Sequence, residues 1–331
     1  FVPDGFHENC LDKAGSITVT KDNHHLYQDN EHLVHMFKSG LWACEEGVTY
    51  TPHEANCPEG RVPTVEAMTS LSLRSDITFK GRIVCEGGRV FDADTELLME
   101  NKMMLLMMVC QLLGTLVTVW IFQKFVNRES FSAIGLEFNG YKDDFVSGLI
   151  FGAGLIVIGF AILYTINFLS VASIQFSLID QLFYLSLFAV VSLNEEIAIR
   201  GYILQNLSSS FNKYIALVLS SLVFMLMHIG NPNMSGIPLF NLFLAGLFLG
   251  VYCIHKNNLW FPIGAHFTWN YFQGPVLGFE VSGNDVDSIF VQSLEGSELI
   301  TGGEFGFEGS IILTIFMIIG IVYLDRRFSS V

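Results

Sequence analysis

The sequence predicts a mainly α-helical, polytopic membrane bundle of about seven spans, preceded by a small, loop-rich, β-containing extracytoplasmic domain. Three observations carry that reading. Of the 331 residues, 51% are hydrophobic and 30 are Phe. Charged residues make up only 15%, against roughly 25% in soluble domains. Beyond residue 100 the chain runs as long apolar segments broken by short loops, and mean hydropathy over the whole chain is +0.48. The formal net charge of −15 excludes a nucleic-acid partner, because nucleic acid selects basic faces.

Residues 1–100 are polar, rich in His, and carry four of the six cysteines. The chain opens at Phe1 without a methionine, which leaves a removed leader or a shortened chain as alternative expectations. The runs ITVT, TSLSLRSDITFKGRIVC and GGRVF alternate and are broken by glycines, the pattern of short strands, with a helix expected near 29–38. In an oxidising compartment Cys10, Cys44, Cys57 and Cys85 supply two disulfides, and the three possible pairings stay open. His24, His25, His32 and His35 are read as a solvated polar surface in preference to a metal site, since neither CxxC nor HExxH occurs.

Residues 101–331 contain candidate spans at 103–123, 145–169, 179–204, 214–230, 237–254, 259–275 and 309–325, within the roughly 17–25 residues that a bilayer helix needs. Basic residues fall in alternate loops: Lys124, Arg128 and Lys142; Lys213; His255 and Lys256; Arg326 and Arg327. The intervening loops at 170–178, 231–236 and 276–308 have neither Lys nor Arg, and the last is acidic. The positive-inside rule then puts the N-terminus outside the cytoplasm and the C-terminus within it.

Charges inside such spans are costly unless they are paired or functional. The third span carries SLNEEIAIRGY with Glu195, Glu196 and Arg200; the fourth ends FMLMH, Phe224 to His228; the sixth carries HFTWN, His266 to Asn270. Glu196 and Arg200 are one turn apart and can pair on one face. Glu195 is turned about 100° from Glu196, which leaves it to face His228 and His266. Each group taken alone is readily a packing strut. Together they supply a carboxylate base, two imidazoles and an amide donor, the parts for activating a water and holding an oxyanion.

EEIAIRGY, FMLMH and HFTWN resemble the EExxxR, FxxxH and HxxxN motifs of the CPBP family, the CAAX-protease and bacteriocin-processing membrane peptidases. Order and spacing fit over roughly 103–325, whereas residues 1–95 match nothing recognised in that family. The resemblance implies a metal-independent intramembrane glutamate protease without a cofactor. In it Glu195, helped by His228, deprotonates a water; His266 and Asn270 hold the oxyanion; Glu196 and Arg200 organise the site. It implies a membrane-embedded or membrane-anchored, or lipid-modified, protein substrate. Of residues 1–100 it says nothing; an extracytoplasmic domain there fits partner docking or substrate selection. The alternative chemistry is zinc hydrolysis on His228, His266 and a glutamate. The alternative functions are a catalytically silent scaffold, assembly or immunity factor of the same fold, and a transporter, against which the lack of a repeated half argues.

Gly148 and Gly152 form GxxxG, which predicts close helix packing. Trp260 is read as an interfacial anchor, Trp269 as an anchor or a pocket wall, and Cys110 and Cys253 as inert small hydrophobes. Asn231 and Asn233 either line the water-filled cavity that hydrolysis between the helices requires or form a polar turn. The glycine-rich stretch 296–309 is expected to be an outer loop.

Overall fold

The structure, a computed structural model, describes residues 103–329 in full and, before them, the backbone of the strands named below and of the helix from Ala93. The helix expected at 29–38, the four histidines at 24–35 and Cys10, Cys44 and Cys57 with their disulfides lie outside the described residues. The chain divides into two compact units, Phe1–Met104 and Leu105–Val331. In the first, β1 (Ile17–Thr18) pairs antiparallel with β2 (Thr49–Tyr50). There β3 (Pro63–Leu73), β4 (Ile77–Cys85) and β5 (Arg89–Asp92) form an antiparallel sheet in chain order.

The second unit is helical, and a helix stands at each of the seven predicted positions. They are α1 (Ala93–Phe122), α2 (Lys142–Thr165), α3 (Leu178–Ser210), α4 (Lys213–Met227), α5 (Gly236–Lys256), α6 (Trp260–Tyr271) and α7 (Ile311–Ser329). Among the described residues, those long and apolar enough to cross a membrane number four: Met103–Asn127, Lys142–Thr165, Leu178–Ser210 and Gly236–Lys256. Four of the seven predicted spans thus meet that length and composition. At about 1.5 Å per residue α4 is roughly 22 Å long, short of the ~30 Å hydrocarbon core. The helical part of α6 is shorter still, and α7 ends in Asp325, Arg326 and Arg327. Large apolar side chains such as Leu106, Leu113, Ile150, Val157 and Ile319 are exposed. That outer surface suits lipid, where every backbone group must be satisfied within helices. These apolar helices are those of an integral membrane protein.

Two features position the site. First, α2 lies against α6 with backbone touching backbone. A Cβ on Gly148 would meet the Phe261 carbonyl, one on Gly152 would meet the Ala265 carbonyl, and Thr268 Oγ1 donates to the Leu149 carbonyl at 2.8 Å. GxxxG thus has the packing role read from it. Second, α3 is one 33-residue helix whose middle, Ile197–Leu204, widens to π geometry directly after Glu196, a distortion that recurs at functional sites.

The acidic loop after α6 differs from expectation. It holds β7 (Phe290–Leu294), antiparallel to β6 (Leu169–Ile174), and it folds back so that Phe305, Phe307 and Glu308 are buried. Counting charges orients a loop, but it does not detect burial of the residues between the charges. Asn231 and Asn233 form a polar turn fastened to this loop: Asn231 Nδ2 donates to the Ser282 carbonyl at 3.1 Å, and Asn233 Nδ2 to that of Glu304 at 3.2 Å. Trp260 packs between Phe138 and Phe145 and donates from Nε1 to the Leu136 carbonyl. Trp269, by contrast, is buried. Cys110 is exposed and Cys253 buried, both as free thiols.

Candidate active site

The α3–α4 hairpin sets the first distances. Glu195 lies 15 residues before Ser210, where α3 ends, and His228 lies 15 residues after Lys213, where α4 begins. Two antiparallel helices joined by a tight turn bring such positions to one level. Glu195 Oε2 and His228 Nε2 are 3.7 Å apart. α3 runs six residues past Leu204, the end of the third predicted span, and that extra length helps bring the two residues level.

Glu196 and Arg200 are 0% and 1% exposed, and Arg200 donates from Nη1 to Glu196 Oε1 at 2.8 Å. The guanidinium also reaches the Gly246 carbonyl at 3.4 Å and lies 4.3 Å above the centre of the Phe224 ring. A buried charge is tolerable only with this kind of pairing. Phe224 therefore serves two neighbours. Its ring supports Arg200 and, at 4.7 Å, the ring of His228, while its carbonyl takes a 2.8 Å hydrogen bond from His228 Nδ1.

That last bond fixes a proton. A carbonyl only accepts, so Nδ1 of His228 carries hydrogen and Nε2 of the neutral ring is a free acceptor turned towards Glu195. His266 is held in the same way. Its Nδ1 donates to Glu196 Oε1 at 2.8 Å, and its Nε2 stands 3.9 Å from Glu195 Oε2. Glu196 is thus shared between Arg200 and His266, whereas the spacing had given it to Arg200 alone.

The separations of 3.7 and 3.9 Å from Glu195 Oε2 exceed direct hydrogen bonding. That oxygen is buried and has no hydrogen-bond partner among the described residues, as is also true of Glu196 Oε2. Asn270, one turn beyond His266 on α6, is buried too, and no hydrogen bond to its side chain occurs among the described residues. The structure therefore gathers Glu195, Glu196, Arg200, His228 and His266 by direct contact, with Asn270 set on the same helix as His266. Among the described residues no group of three or more His, Cys, Asp or Glu is arranged to hold a metal ion.

Sequence reasoning missed two contributors. Asn194, beside Glu195, accepts at 2.6 Å from Thr115 Oγ1 of α1. Glu308 accepts from Trp269 Nε1 at 2.9 Å and from Ser282 N and Oγ at 2.8 and 2.7 Å. A polar residue at mid-helix was the available signal for Thr115. Nothing in the sequence of the acidic loop distinguishes Glu308 from the exposed acids Glu295, Glu298 and Glu304.

Residues 177–272 match the family model described as Type II CAAX prenyl endopeptidase Rce1-like. That segment runs from the start of α3 through α6 and includes all six candidate residues. The match is consistent with the resemblance to the CPBP family. No curated protein and no solved structure matches the chain.

Proposed function

We propose that the protein is an intramembrane endopeptidase that hydrolyses membrane-anchored, prenylated CAAX-type or otherwise lipid-modified proteins with a water activated by Glu195. The observation that carries the reading is the buried, unpartnered Oε2 of Glu195 facing two imidazole nitrogens. A water bound there gives its proton to Glu195, with His228 Nε2 as a second acceptor, and its oxygen bonds to the scissile carbonyl carbon. His266, entering the cycle as imidazolium with a proton on each ring nitrogen, donates to the oxyanion from Nε2, as does the Asn270 amide. Glu196 Oε1 accepts from Nδ1 on the other side of that ring. As the C–N bond breaks, the proton held by Glu195 passes to the leaving nitrogen. The family description supports the substrate class. Residues 1–100 act in substrate selection or partner docking, and the basic loops support a cytoplasmic C-terminus.

The test compares wild type and Glu195→Ala, purified in detergent, on tagged membrane peptides with and without a farnesylated C-terminal cysteine. Loss of the general base should lower kcat by about 10²–10⁴-fold. Equal cleavage by both proteins removes Glu195 as the base, and no cleavage by either favours the scaffold reading. Cleavage lost on chelation and restored by zinc would replace the metal-independent mechanism with zinc hydrolysis.

A further inference from the structure

We propose that Glu308 is a positioning residue that couples the two histidine-bearing elements of the site; its place in the reaction rests on the function proposed above. It lies outside residues 177–272, on the loop before α7. Its carboxylate is buried, 7% exposed, and each oxygen serves a different direction.

Oε1 accepts from the indole N–H of Trp269. Trp269 stands between His266 and Asn270 on α6 and is itself buried at 4% exposure, so this bond fixes the rotation of the turn that carries both residues. Oε2 accepts from the backbone N–H and hydroxyl of Ser282. Ser282 has a left-handed φ of 51°, which a non-glycine residue adopts only when its surroundings hold it there. Its carbonyl in turn accepts from Asn231 Nδ2, and the Asn231 N–H donates to the His228 carbonyl at 3.0 Å. One carboxylate therefore reaches His266 through a single side chain, and His228 through a serine and an asparagine. The Glu308 carbonyl is pinned as well, accepting from Asn241 Nδ2 at 2.7 Å, so the node is anchored to α5. Three neutral donors on one buried carboxylate satisfy it without a cation. Losing it leaves the indole N–H and a Ser282 N–H unpaired.

The test uses the full chain in detergent, with the side-chain nitrogens of histidine labelled with nitrogen-15. Signals of His228, His255 and His266 are assigned by single His→Gln substitutions. His255 is the internal control, because it pairs with Asp325 at 2.8 Å in a separate cluster. Glu308→Ala is expected to shift the imidazole signals of His228 and His266 but not of His255. It should also lower kcat about 10²-fold, as expected for a displacement on the order of 1 Å, with KM little changed. Trp269→Phe should move His266 alone and Asn231→Ala should move His228 alone. These two variants decide the matter if Glu308→Ala does not fold. Glu308→Gln keeps one acceptor oxygen and should move at least one of the two signals. Unmoved signals in Glu308→Ala, or equal movement of all three histidines in every folded variant, overturn the coupling. The nitrogen signals need no turnover, so a protein that cleaves nothing refutes the proposed function while still reporting on Glu308.

Discussion

Arg200→Met is expected to destabilise the protein by about 3–5 kcal/mol, the usual result of leaving one charge of a buried pair uncompensated. Glu196 is fully buried and takes both of its charged or polar hydrogen bonds, from Arg200 and His266, through Oε1. Without the guanidinium its charge must be borne by His266 alone. The Phe224 ring also loses the cation above it. Arg200→Lys should fail similarly, because an ammonium cannot reach Glu196 and the Gly246 carbonyl from one planar group. The informative variant is the double substitution Glu196→Gln with Arg200→Met. Removing both charges should recover most of the stability, since apolar replacement of a buried pair is often close to neutral. Cleavage should stay lost, because His266 Nδ1 no longer faces a carboxylate. Unfolding of wild type, both single variants and the double variant in graded denaturing detergent gives the coupling. A loss below about 1 kcal/mol for Arg200→Met, the range of exposed pairs, would contradict this account.

Much of this arrangement could be read from sequence where the physical rule is local. Apolar runs of the right length located the helices, because hydropathy reports what a helix presents to its surroundings. The Glu196–Arg200 bond follows from their spacing of four, and the separate orientation of Glu195 from a single residue step. GxxxG announced a backbone contact, though not that α6 would be the partner. What could not be read depends on where helices stop and which elements meet. Hydropathy alone did not end α3 at Ser210 instead of Leu204, and the level of His228 depends on that end. Nor does any local pattern say that His266 of α6 shares Glu196 with Arg200. Glu308 is the clearest case. It belongs to a run of glycines and acids that composition assigns to solvent, yet Phe305 and Phe307 carry it into the interior. Its role follows from two partners, Trp269 and Ser282, that lie 39 and 26 residues away.

Gly152→Leu is expected to lower kcat by about 10²-fold while most of the protein still folds. α2 and α6 touch at Gly152, where a Cβ would meet the Ala265 carbonyl and, at 2.5 Å, Thr268 Oγ1. Carbonyl oxygens of a helix cannot rotate away, so an isobutyl group must push α6 from α2. Ala265 immediately precedes His266, and Thr268 precedes Trp269 and Asn270. The strain therefore falls on the turn that carries the proposed oxyanion donors. Overpacking of this kind typically costs about 1–3 kcal/mol, and a displacement near 1 Å at reacting groups is worth about 10²-fold in rate. Gly154→Leu is the control in the same helix, because a Cβ there meets nothing within 4 Å; its turnover and unfolding should match wild type. Steady-state cleavage measured beside unfolding separates the two effects. Full kcat in Gly152→Leu would mean that α2 does not set the position of α6. In that case the bonds from Glu196 to His266 and from Glu308 to Trp269 would have to hold His266 and Asn270 in register by themselves.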